Sequence, residues 1–195
     1  MRGEPSVPRS EVVPWSVPFH GTVAGIIGAA VVAVVYLCID LAAGRPFYTP
    51  NALGAALFRG EALGLDAPIE PVLVFGYTLV HGGVFLGFGL LAAFLELEAR
   101  LRHSDRMREL WVTGLLAVGL FAAFQLTFAI FTWLLLPGQG QLGGLRAAFA
   151  NAFAALAMAS YVGLVRLRYA NRLTAAGDLA MPEPVARARS SSGRS

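Results

Sequence analysis

The sequence has no lysine: all fifteen basic residues are arginine. With alanine and glycine abundant, that usage suits a GC-rich bacterial genome. Cysteine occurs once, at Cys38 inside an apolar run, which excludes an intramolecular disulfide, a zinc cluster and a thiol relay within one chain. Charge is scarce as well. Only 14% of the 195 residues are charged, against about 25% in soluble domains, and the mean hydropathy is +0.64. Composition therefore points to a bilayer. The net charge of +3 does not imply nucleic acid, because the arginines stand at the ends of apolar segments, where they act as anchors. Nucleophilic catalysis finds no support: there is no G-x-S-x-G, H-E-x-x-H or Cys–His pair. No Walker A sequence occurs, nor any G-x-G-x-x-G after a strand.

What is present is four long apolar runs. Each has at least about 18 predominantly apolar residues, enough to cross roughly 30 Å of hydrocarbon at about 1.5 Å per residue. Backbone groups in lipid must be satisfied internally, so these runs are expected to be helices, over about 20–43, 71–98, 109–136 and 145–169. The first is too long for a signal-peptide core and lacks a good cleavage site, so it is read as retained. The expected fold is all-α, an integral membrane four-helix bundle over 20–170, between a disordered N-terminus at 1–19 and a disordered tail at 171–195. Both ends are rich in Pro, Ser or Arg and lack periodicity.

Arginine placement sets the orientation. Twelve arginines flank one side of the spans and only Arg45, Arg59 and Arg146 flank the other, which places both termini in the cytoplasm of a bacterial inner membrane. Within the outer loop 44–70, Thr49 reads as an N-cap with Pro50 at the first helical position. Ala52, Leu53, Ala56 and Leu57 form an apolar stripe, and Gly60 ends the turn. This segment is too short to span, so an interfacial helix is expected, either resting on the bundle or covering a site.

Helices in lipid associate through small residues and cross-helix hydrogen bonds. Gly21, Gly25 and Gly28 share one seam of the first span; Gly76, Gly83 and Gly87 share one of the second; Ala148, Ala152, Ala155 and Ala159 share one of the fourth. The first two spans are expected to pack closely. On the second, Tyr77, His81 and Phe85 lie nearly opposite the glycines, so a second face should also meet protein, since His81 would be costly against lipid. Tyr36, Tyr77, His81, Gln125 and Asn151 fall in the outer half of the membrane. Asp40 lies near the outer end of the first span, and together these six form a candidate polar cluster. Glu96 and Glu98 read as interfacial partners of Arg100 and Arg102.

The stretches "PFYTPNALGAALF" and "YTLVHGGVFLGFGLLAAFLE" resemble a group of uncharacterised bacterial four-transmembrane-helix membrane proteins, over about a third of the chain. That resemblance implies topology and no activity. The favoured function is a non-enzymatic accessory or scaffolding subunit, with no cofactor, metal or nucleic acid. Its expected partners are the lipid bilayer and other membrane helices, in a homo-oligomer or a larger complex. A small transporter or channel-like protein using the outer polar cluster is the alternative. A haem- or quinone-binding subunit using His81, the one histidine deep in a span, is the third reading.

Overall fold

The computed structural model describes residues 16–102, 106–135 and 144–179, and every regular element among them is helical. The helices are α1 (Val17–Ala42), α2 (Tyr48–Arg59), α3 (Pro71–Arg102), α4 (Arg106–Leu135) and α5 (Gly144–Leu179). All but α2 are long and apolar enough to cross a membrane, the pattern of a multi-pass membrane protein. Large apolar side chains such as Val72, Trp111, Trp133 and Leu145 point outward, as a lipid solvent requires.

Local chemistry explains the helix limits. At the start of α1, the Ser16 hydroxyl accepts from the Phe19 amide at 3.3 Å, and Pro18 sits in the first turn, where its missing N–H costs nothing. Gly44 (φ 70°) follows the end of α1, and Gly60 (φ 67°) ends α2 in the left-handed region. The helices outrun the apolar segments. α1 begins three residues before position 20, inside the segment expected to lack structure, and α5 continues to Leu179, well past 169. α3 and α4 likewise extend to Arg102 and back to Arg106. Hydropathy ends where the hydrocarbon ends, whereas the i→i−4 ladder continues among arginines in the interface. Residues 1–15 and 180–195, most of the glycine-rich outer turn between α4 and α5, and His103 lie outside the described residues.

The spans pack in the order α4, α5, α1, α3, with α2 against α3 and touching α1. α3 and α4, consecutive in the chain, meet only sparsely. α5 is the central helix: 44% of its membrane-length window is buried, against 11% for α4. Ala147, Ala150, Ala154, Ala155, Met158, Ala159 and Val162 are buried along it. The alanine seam expected at 148, 152, 155 and 159 is therefore rotated; Ala155 and Ala159 belong to it, while Ala148 and Ala152 stand at its edge.

α1 and α3 make the closest approach. A methyl group added at Gly25 would lie 2.7 Å from Leu86 Cα, and one at Gly21 2.7 Å from Leu90 Cα. On the facing side it is Gly89 that admits the α1 backbone, at Gly21 and Gly25. Gly28 instead receives Met158 of α5 and Phe85 of α3. The α1 glycines thus form the expected seam, but Gly83 and Gly87 do not face them; both are exposed, with nothing within 4 Å of an added Cβ. Gly76 packs under the Phe58 ring of α2.

Substitution should separate these two classes. Gly25→Val should cost about 3 kcal/mol or more, because backbone rather than a flexible side chain blocks it. Gly87→Ala should leave the thermal midpoint of the detergent-solubilised protein unchanged or slightly raised, helped by alanine's helix propensity. Equal effects at the two positions would contradict this packing.

Candidate functional site

The sequence-predicted polar residues lie around two adjoining cavities at one end of the bundle, beneath α2. One, of 210 Å³, lies among α1, α2 and α3; Asp40, Thr49, Pro50 and Thr78 contribute to its walls. The other, of 120 Å³, lies among α1, α3, α4 and α5, and Asn151, Phe124 and Phe128 contribute to it. Val32, Tyr36, Leu53, Tyr77 and His81 line both. Aromatic rings make much of the shared interior: Tyr77 stacks on His81 at 5.8 Å between centroids, His81 leans on Phe85 at 4.8 Å, and Phe124 meets Phe85 and Phe88 at 4.9 and 5.0 Å. These last two contacts join α3 to α4.

Several of the polar groups are satisfied within the chain. His81 Nε2 lies 3.3 Å from the Ala29 carbonyl of α1. A carbonyl can only accept, so Nε2 carries the proton and, in the neutral ring, Nδ1 keeps its lone pair. Asn151 donates to Gln125 Oε1 at 2.6 Å, tying α5 to α4. Gln125 lines neither of these two cavities and joins the group through Asn151. Asp40, 4% exposed, accepts from the Thr49 amide at 2.7 Å and the Thr49 hydroxyl at 2.6 Å. A carboxylate from α1 thereby caps the first turn of α2, where the amides are otherwise unpaired.

This changes the reading of Thr49. It sits at the second helical position, with Phe47 as N-cap and Pro50 one residue further in. Phe47 adopts φ 63°, a left-handed conformation costing about 1–2 kcal/mol for a side-chain-bearing residue. The Asp40 bonds, the Asn51 amide donating to the Phe47 carbonyl, and the Tyr48 amide donating to the Arg45 carbonyl hold it there. The other side of α2 is equally fixed. Asn51, fully buried, donates to the Pro68 carbonyl at 3.0 Å and accepts from the Glu70 amide at 2.9 Å. Gly54 lets α2 touch the α3 backbone, since an added Cβ would lie 2.5 Å from the Leu73 carbonyl oxygen. Arg59 and Glu70 add a two-pronged ion pair at 2.6 and 2.9 Å, and the hydrogen bond from Arg59 holds the Glu70 carboxyl below the usual carboxylate range. Both partners of that pair are exposed, so it contributes little beside the buried bonds.

A second polar feature lies away from the cavities. Arg166 of α5 donates to Glu96 of α3 at 2.8 Å, with side chains 7% and 1% exposed. The register of α3 turns Glu96 inward, four residues after Ala92, and so towards α5. The pairing of Glu96 and Glu98 with Arg100 and Arg102 that the sequence predicts falls on arginine side chains outside the described residues. His20 Nδ1 lies 3.1 Å from the Tyr161 hydroxyl, a further α1–α5 contact. No group of three or more His, Cys, Asp or Glu side chains that could hold a metal ion occurs among the described residues. Compared with protein-family models, curated proteins and solved structures, the chain matches none.

Two outcomes test this account. Asp40→Ala and Asn51→Ala should each cost about 2–3 kcal/mol by stranding buried backbone partners, and should speed proteolysis of the 44–70 loop. Arg59→Ala should leave the midpoint unchanged within error. At the buried pair, Glu96→Ala or Arg166→Ala should each cost about 3–5 kcal/mol. Glu96→Leu combined with Arg166→Met should recover most of that loss, a non-additivity read from a double-mutant cycle.

Proposed function

We propose that the protein is a non-enzymatic accessory or scaffolding subunit of a bacterial inner membrane, with both termini in the cytoplasm. The observation that carries this reading is the state of Gly83 and Gly87. They form a G-x-x-x-G step on α3, are exposed, and have open space where a side chain would stand. Three other glycines of α1 and α3, Gly21, Gly25 and Gly89, are used inside the chain for backbone contact. A smooth strip left unused in lipid suits the close approach of a partner helix. The orientation rests on the arginine asymmetry, twelve against three, now read onto helices that extend into the arginine-bearing flanks.

The inward polar groups support the same reading. Glu96, Asp40, Asn151 and His81 each have a partner within the chain, as expected of groups that hold a bundle together. A transport reading draws on the cavities beneath α2. It is weaker, because Asp40, the carboxylate lining the larger cavity, has both oxygens engaged by Thr49, and the walls of both are largely aromatic and aliphatic.

The test is assembly. In mild detergent or nanodiscs, Gly83→Leu with Gly87→Leu should reduce the native particle to a single copy or strip its co-purifying membrane partner, while the thermal midpoint stays within a few degrees. An unchanged particle in that double variant removes the proposal.

A further inference from the structure

We infer that the two adjoining cavities are one binding site for a neutral lipid whose head is a planar, oxygen-bearing ring of the quinone or quinol class. This concerns the interior of a single chain and does not depend on the assembly role proposed above.

Size comes first. An apolar cavity of about 150 Å³ admits benzene. The cavities here measure 120 and 210 Å³ and share the walls formed by Tyr36, Tyr77 and His81, so a ring and the first part of a chain fit between them. Shape follows from the lining. Tyr77, His81, Phe85 and Phe124 form a continuous series of ring contacts at 4.8–5.8 Å, which presents flat faces and edges to a flat guest.

Polarity then narrows the class. Among the described residues, no hydrogen bond occupies the hydroxyls of Tyr36 and Tyr77, although both side chains border both cavities. His81 spends Nε2 on Ala29, which leaves Nδ1 as an acceptor. Two hydroxyl donors and one acceptor match a ring that carries carbonyl or hydroxyl oxygens. A cationic head would find no free counter-charge, because Asp40 is the one carboxyl side chain on the walls and Thr49 engages both of its oxygens. Arg146, whose charge is felt at Tyr36, lies outside the walls, so an anionic head would have no cation among the lining residues. The tail has a route as well. α3 and α4 touch sparsely, and Val80 and Val84, 42% and 40% exposed, border the smaller cavity on the lipid side. α2 closes the opposite side through Leu53, which lines both cavities. Only binding is inferred; no electron-transfer step is assigned.

The experiment uses the full chain in detergent with three probes: decylubiquinone, 1-dodecanol and dioleoyl phosphatidylglycerol. After gel filtration, wild-type protein should retain about one decylubiquinone per chain, above an empty-micelle control, and bind it at least tenfold more tightly than the other two. Tyr77→Phe, which keeps the ring and removes the hydroxyl, should weaken binding roughly three- to tenfold, the value of one hydrogen bond. Leu53→Trp should fill the shared space and abolish retention. Should that variant fail to fold, Tyr77→Phe and probe selectivity decide alone. Retention equal to empty micelles, unchanged affinity in Tyr77→Phe, or equal binding of dodecanol would each overturn the inference.

Discussion

The contact on which the rest of this bundle depends is the backbone approach of α1 and α3 at Gly21, Gly25 and Gly89. In lipid there is no hydrophobic gain in bringing two apolar helices together, because the tails they displace are as apolar as they are. Close dispersion contact has to supply the attraction, and it decays steeply with separation. Glycine on both helices allows that contact where any side chain would hold the backbones apart. Gly28 extends the same edge of α1 to α5, through Met158. One face of α1 therefore fixes both of its neighbours.

That closeness is local, and its limits shape the interior. Past Gly25 the residues between α1 and α3 become Phe85, Val32, His81, Tyr36 and Tyr77, which are larger and hold the helices apart. The cavities begin there. His81 lies near that transition, and its bond to the Ala29 carbonyl, only one residue beyond Gly28, ties the wider part of the wedge to the narrow part. α2 then spans the wide end, held by Asp40 from α1 and by Asn51, Gly54 and Phe58 against α3 and its leading turn. A tight seam at one end and a roofed space at the other are two consequences of one change in side-chain size along α1 and α3.

Much of this was legible in the residues, and the misplacements have a common cause. The four spans follow from hydropathy, and the α1 seam from glycines three to four residues apart. The helical wheel puts Gly76, Gly83 and Gly87 of α3 opposite the Tyr77/His81 face, and predicts that both sides meet protein. The chain uses one principal face, running through Leu73, Tyr77, His81, Phe85, Gly89, Ala92 and Glu96 at steps of four and three residues. Gly89 belongs to the histidine's face. Gly83 and Gly87 make the more familiar spacing, but a spacing carries no information about which neighbour is present. Glu96 follows the same face, which is the signal that would have turned it inward. Its partner Arg166 lies 70 residues away, and no local rule selects it. Thr49 was misplaced by two residues because its cap comes from Asp40 on another helix, and an isolated loop sequence cannot show that.

His81 stands where these strands of reasoning meet. Its bond to a helical carbonyl at 3.3 Å is modest, about 1 kcal/mol, and a leucine there would bury more apolar area against Tyr77 and Phe85. Stability alone therefore gives weak grounds for an imidazole at this position. What the bond does beyond stability is fix the tautomer, so that Nδ1 is left as an acceptor on a side chain that lines both cavities together with Tyr36 and Tyr77. The one side chain therefore serves both the α1–α3 contact and the proposed ring site: Nε2 holds the neighbouring helix, and Nδ1 is left to accept.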